Sequence, residues 1–203
     1  KKGWKEIRRI ENQIRDDILD KTQVVCCTCI GSGNEILDGR RFPQVLIDEA
    51  TQATEPASLV ALTRGARQVV LVGDHKQLPP TVISFRAEEK GLRRSLFERL
   101  VGLGIEPLLL STQYRMHPAI SKFPNQHFYS NKLNDGVKAE NRPSPAGLLW
   151  PDWDNPVAFI PVDGGEVVSP DGTSRENPAE VAWVIKILND ILEAGEITKK
   201  DIG

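Results

Sequence analysis

Apolar residues recur at helical spacing from Trp4 through Ile7, Ile10, Ile14 and Ile18, with charged residues between them. That period predicts an amphipathic helix from about Trp4 to Leu19 whose apolar stripe packs into a core. The pattern then changes. Short, mostly apolar runs at 24–29, 45–47, 69–72 and 108–110 read as buried strands of a parallel sheet. Helical stretches separate them. Glu55-Pro56 opens a helix running to about Thr63, with Pro56 tolerated in its first turn. A second runs from about Leu92 to Leu103 and stops near Gly104.

After Pro118 the pattern loosens. Residues 120–128 predict a helix interrupted at Pro124, and 129–137 a polar loop. Residues 142–156 form a Pro-rich loop pinned by Trp150 and Trp153. A further strand is expected at 157–162 and a Gly-rich loop at 163–175. Asn177, Pro178 and Glu180 then mark a capped helix start. Val181, Val184, Ile185, Leu188, Ile191 and Leu192 give that helix one apolar face, and Gly195 ends it. Strands alternating with helices imply an α/β fold with a parallel sheet and flanking helices.

Composition narrows the picture a little. The chain has 203 residues, 26 Lys and Arg against 28 Asp and Glu, and a formal charge of −2. That balance gives no basic footprint of the kind nucleic-acid-binding domains usually carry, although a channel can be basic locally. No apolar stretch approaches the length of a membrane span. Cys26, Cys27 and Cys29 fall within four positions, but two more ligands at suitable spacing are missing for zinc. They read as small buried strand residues. Unpaired thiols suit a reducing compartment, cytoplasmic or nuclear.

The chemistry begins at Val45-Leu46-Ile47-Asp48-Glu49-Ala50. A buried parallel strand delivers both carboxylates to its carboxyl end, where open α/β sheets place their ligands. An Asp there can hold hydrated Mg²⁺ against phosphate oxygens, and a neighbouring Glu can deprotonate a water. The 69–72 run likewise ends in Gly73-Asp74-His75-Lys76-Gln77-Leu78-Pro79-Pro80, which adds an acid and an amide. Thr112-Gln113-Tyr114-Arg115-Met116-His117-Pro118 then supplies an amide, an aromatic face and a guanidinium fork suited to phosphate. Each acid also has a bland reading as a solvated residue at a strand end, and Arg115 as an exposed salt-bridge partner.

These three blocks resemble motifs II, III and IV of superfamily 1 helicases, most closely the up-frameshift-like group that includes the RNA helicase of nonsense-mediated mRNA decay. The Cys-rich segment with Gly31-Ser32-Gly33 and the segment Ser95-Leu96-Phe97-Glu98-Arg99-Leu100 also resemble that group. The resemblance implies a RecA-like P-loop NTPase fold, incomplete here. Residues 1–112 would be the C-terminal part of a first lobe and 113–203 the N-terminal part of a second.

It also implies ATP and Mg²⁺ as cofactors. Asp48 would hold the metal, Glu49 would be the general base, and Gln77 would sense the γ-phosphate. Gln113, Tyr114 and Arg115 would be nucleotide contacts, with Arg115 acting as an arginine finger. Thr28, Ser32, Pro80 and Thr81 resemble positions lining a channel for single-stranded RNA or DNA. The implied activity is ATP-driven 5′ to 3′ translocation, with mRNA-decay factors as partners and no membrane.

One departure matters. The phosphate-cradling pattern GxxxxGK[ST] occurs nowhere in the 203 residues. The chain therefore reads as a middle segment of a helicase core, inactive alone. The competing reading is a truncated paralogue that binds nucleic acid or protein without catalysis. A Mg²⁺-dependent hydrolase built on Asp48 and Glu49 alone is disfavoured, because no other acidic cluster completes a metal cage.

Overall fold

A computed structural model describes residues 2–172 and 174–203. It divides into two compact units, Lys1–Pro107 and Leu108–Gly203.

The first unit opens with α1, Lys2–Lys21. Its apolar stripe forms as the period requires, but it is not core. Trp4 is 79% exposed and Ile14 54%. Periodicity specifies a face that favours burial and leaves unspecified what covers it. The carboxyl half of α1 is tied down by polar groups instead, since the Arg40 guanidinium donates to Asp20 Oδ1 at 2.7 Å and to the Asp16 carbonyl at 3.3 Å.

Strand β1, Gln44–Ile47, pairs in parallel with β2, Gln68–Leu71, in the register Val45↔Val69 and Ile47↔Leu71. Helix α2, Glu55–Leu62, makes the crossover between them. Thr54 precedes α2 and Pro56 lies in its first turn, where its missing N–H costs nothing. The short helix α3, Phe85–Glu89, is capped by Ser84, whose side chain accepts from the Ala87 amide.

Helix α4, Leu96–Gly102, starts later than the apolar pattern suggests. Ser95 Oγ accepts from the Glu98 amide at 3.1 Å and fixes that start. Arg99 of α4 forks onto Glu55 of α2 with bonds of 2.7 and 2.8 Å, clamping the two helices. The core of this unit consists of Leu37, Ile47, Ala50 and Leu96 with Pro80, beside the buried hydroxyls of Thr51, Ser58 and Ser95.

The second unit is built on a shorter parallel pair, β3, Thr112–Gln113, with β4, Asn134–Asp135, bridged by α5, Pro118–Phe128. Pro124 sits inside α5 without ending it. An antiparallel ladder follows, β5, Val167–Val168, with β6, Arg175–Glu176. Helix α6, Pro178–Glu193, begins where Asn177 Oδ1 accepts from the Ala179 and Glu180 amides. Gly147, at φ 95°, lies against its last turn, where a Cβ would come within 2.3 Å of the Asp190 carbonyl oxygen. Only glycine fits that approach.

Three expected strands are absent among the described residues, at 24–29, 108–110 and 157–162. Their side chains are largely open: Cys26 and Cys27 are exposed, Leu108 is 91% exposed and Phe159 89%. A strand exists only through its ladder, and none of these runs finds a partner. For the same reason β1 and β2 form but are less buried than continuous apolar runs suggest, with Leu46 66% exposed. Of the two tryptophans, Trp150 is anchored by a 2.7 Å bond to the Pro145 carbonyl, whereas Trp153 is exposed. No described helix is long and apolar enough to cross a membrane.

Candidate functional site

In the first unit the chemistry collects where β1 and β2 end. The ladder extends past both strands: the Val72 amide donates to the Ile47 carbonyl at 2.9 Å, and the Ala50 amide donates to the Val72 carbonyl at 2.8 Å. The chain therefore doubles back between Ile47 and Ala50, and Glu49 takes a left-handed backbone with φ 51°. For a non-glycine residue this conformation costs about 1–2 kcal/mol and persists only when neighbours impose it. They do so here. The Asp48 Oδ1 accepts from the Glu49 amide at 3.0 Å, and Ala50 and Thr51, 1% and 3% exposed, are packed beneath the turn.

Thr51 joins this turn to the next. Its Oγ1 accepts from the Asp74 amide at 3.2 Å. Gly73 lies so close that a Cβ there would be 3.0 Å from the Thr51 amide nitrogen and from Oγ1. The Asp74 carboxylate then organises its own loop, accepting from the Lys76 amide at 3.0 Å and from Gln77 Nε2 at 2.8 Å. Asp48, Glu49, Asp74 and Gln77 are thus held on one edge of one parallel pair. Asp48, Glu49 and Gln77 are exposed, and Gln52 Nε2 donates to Glu49 Oε2 at 3.0 Å.

Asp48 retains one oxygen with no bond to any described residue. A single carboxylate completed by water and phosphate is the donor set Mg²⁺ takes in phosphoryl-transfer sites, so the residue suits the ion. Among the described residues no group of three His, Cys, Asp or Glu forms a metal cluster. Just beyond the turn, the Arg99 fork holds the Glu55 carboxyl below the ordinary glutamate range, against the opposing pull of desolvation.

The residues expected along a nucleic-acid channel lie on two further loops of this unit. Thr28 is exposed, and its Oγ1 accepts from the Gly31 amide at 2.9 Å. Ser32 is buried, and its hydroxyl is committed to the Cys29 carbonyl at 2.5 Å. Pro80 is fully buried, and Thr81 beside it is exposed.

Gln113, Tyr114 and Arg115 belong to the second unit and share one turn. The Gln113 amide is saturated within it. Oε1 accepts from the Arg115 and Met116 amides at 3.0 and 2.7 Å, and Nε2 donates to the Met116 carbonyl at 2.8 Å and to Asp135 Oδ1 at 2.6 Å. That uses both donors and both lone pairs. Tyr114 is 67% exposed and leans on Gly136, where a Cβ would meet the ring at 2.3 Å. The Arg115 guanidinium is exposed and makes no hydrogen bond or ion pair among the described residues. His117 caps α5 through Nδ1, which accepts from the Ala119 amide at 3.0 Å.

Sequence patterns missed Thr51, Ser121, Asp135 and Gly136. Their roles depend on pairing between distant segments, and no local spacing announces it.

An AAA domain family model matches residues 1–85 and another matches 92–203. Among curated proteins, the chain is 43% identical over 199 residues to the Regulator of nonsense transcripts 1 homolog of Drosophila melanogaster, covering 98% of this chain and 17% of that protein. It is 42% identical over 200 residues to the ATP-dependent helicase NAM7 of Saccharomyces cerevisiae, covering 98% and 20%. It is 44% identical over 194 residues to Regulator of nonsense transcripts 1 of Caenorhabditis elegans, covering 95% and 18%. The chain thus spans a fifth or less of the length of these relatives.

Proposed function

We propose, from the premise that this chain belongs to the AAA domain family and within it to the up-frameshift-like helicases, that it forms part of an ATP-driven motor acting on single-stranded RNA or DNA. The two compact units, residues 1–107 and 108–203, are parts of two RecA-like lobes.

The observation that carries this reading is the shared edge of β1 and β2. It holds Asp48 and Glu49 on one turn and Asp74 and Gln77 on the next, linked through Thr51 and the Ala50 amide. Phosphoryl transfer requires little covalent chemistry from a protein and much positioning, and this edge is built to position.

In the proposed mechanism Glu49 accepts the proton of the attacking water. Gln52 and the strained backbone hold its carboxylate in place. Gln77, braced by Asp74, presents its amide oxygen to that water. Asp48 would hold Mg²⁺, which would supply charge neutralisation on the phosphate oxygens. Arg115, which makes no ion pair among the described residues, offers its fork to nucleotide phosphate oxygens. Tyr114 packs near the base, and Gln113 braces the turn that carries both. Nucleotide binding and hydrolysis drive the motor cycle, and each cycle moves the protein 5′ to 3′ along a strand. Thr28, Ser32, Pro80 and Thr81 belong to the loops facing that strand. The setting is cytoplasmic or nuclear, with mRNA-decay factors as partners.

The test is ATP hydrolysis and strand displacement by the full-length protein that contains this chain, assayed on RNA and on DNA duplexes with single-stranded tails. The expected result is hydrolysis stimulated by nucleic acid and displacement that needs a 5′ tail. Nucleic-acid binding with no hydrolysis on either polymer would favour a non-catalytic binding module instead.

A further inference from the structure

We propose that Asp135 is a positioning residue for Arg115, acting through the amide of Gln113. This rests on the reading of Arg115 as the phosphate-gripping guanidinium, and adds the device that aims it.

Backbone register starts the argument. In the β3/β4 pair Gln113 stands directly beside Asp135, and residues side by side in a ladder project to the same face. The register is pinned at both ends, since the Asn134 amide donates to the Ser111 carbonyl at 2.7 Å and the Gly136 amide donates to the Gln113 carbonyl at 2.8 Å.

The side-chain chain then runs one way. Ser121, 2% exposed on α5, donates its hydroxyl to the Pro118 carbonyl at 3.0 Å or to Asp135 Oδ1 at 2.6 Å. The same Asp135 oxygen accepts from Gln113 Nε2 at 2.6 Å. Bonds of that length to a carboxylate are the charge-assisted kind, about twice as strong as neutral ones. With Nε2 anchored, Oε1 must face the other way, and there it receives the Arg115 and Met116 amides.

The amide of Gln113 has two planar orientations that a lone glutamine samples freely. Asp135, an acceptor only when ionised, admits just the orientation that presents NH₂ to it. It therefore selects the orientation that folds the Gln113–Met116 turn and sets where the Arg115 side chain departs. Gly136, the residue after β4, leaves room for the Tyr114 ring, so this segment shapes the turn twice.

The experiment compares Asp135→Ala, Asp135→Asn and Arg115→Ala in the full-length helicase, with amide exchange measured on the 203-residue chain. Asp135→Ala is expected to lower kcat for nucleic-acid-stimulated ATP hydrolysis about tenfold or more while the nucleotide Kd moves by less than about threefold, the mark of misplaced transition-state contacts. Asp135→Asn keeps an acceptor oxygen but adds a donor that can pair with Gln113 Oε1, so its kcat should fall between those of wild type and Asp135→Ala. On the chain itself, Asp135→Ala should speed exchange at the Arg115 and Met116 amides while those of α6 stay protected. Ser121→Ala, the milder change, should speed the same two amides about fivefold.

Wild-type kcat in Asp135→Ala, with Arg115→Ala inactive, would overturn the positioning role and leave the phosphate reading intact. Wild-type kcat in Arg115→Ala would instead remove that reading. Slowed turnover in Asp135→Ala with unchanged exchange at the Arg115 and Met116 amides would also overturn the proposal, because the loss would then not run through the Gln113 turn.

Discussion

Thr51 does at one position what the flanking acids cannot do for themselves. Its buried Oγ1 accepts the Asp74 amide and thereby fixes the Gln77 loop relative to the Glu49 turn. Thr51→Val keeps the shape and removes the hydroxyl that accepts from the Asp74 amide, so it should cost about 1–3 kcal/mol in urea unfolding of the chain, while Thr51→Ser should cost less than half as much. The Glu55–Arg99 fork makes a second prediction, through pH. The Arg99 hydrogen bond depresses the Glu55 pKa in the folded chain, so its stabilisation is fully present above the unfolded value and is lost as pH falls through the folded one. Acidifying from neutral to below the ordinary glutamate range should therefore lower the urea midpoint of wild type more than that of Glu55→Gln. An equal fall in both would deny the fork its role. Asp48, Glu49 and Gln77 could be picked out from their positions after apolar runs. Thr51 and Asp135 could not, because each acts on a residue more than twenty positions away.

Among elements, the helices were largely legible and the strands only in part. Helix α6 could be read from Asn177, Pro178, its apolar face and Gly195 because a helix satisfies its own backbone and its signals are local. Helix α4 was misread at its start because the Ser95 cap outweighs the apolar run that precedes it. Ser95→Ala should lower stability by about 1 kcal/mol, measurable as a shifted denaturation midpoint. Strands carry no such local closure. The runs at 24–29, 108–110 and 157–162 have strand composition but no ladder among the described residues, whereas β1 and β2 have each other. Gly147 tests packing between a loop and an element. Gly147→Ala combines φ 95° with a Cβ 2.3 Å from the Asp190 carbonyl oxygen, so it should destabilise by about 1–3 kcal/mol and speed amide exchange in the last turn of α6. Unchanged exchange there would mean that the loop does not rest on the helix.

For the whole molecule, the family match and the motif spacing agree on a segment of an AAA-domain, up-frameshift-like protein, while the chain itself contains no GxxxxGK[ST] sequence. Assayed alone, the 203 residues should therefore hydrolyse ATP at background rate with or without RNA, and strong RNA-stimulated turnover would show that the phosphate cradle is dispensable. The exposed apolar stripe of α1 and the open faces of β1 and β2 could not be foreseen from pattern alone, since pattern encodes what favours burial rather than what provides it. The central claim is that Glu49 activates water at the shared edge of β1 and β2. It is tested most directly by Glu49→Gln in the full-length protein that contains this chain, with nucleotide binding and nucleic-acid-stimulated turnover measured side by side. The proposed role predicts ATP affinity within about threefold of wild type and a loss of turnover of at least about a hundredfold; wild-type turnover in Glu49→Gln would contradict it.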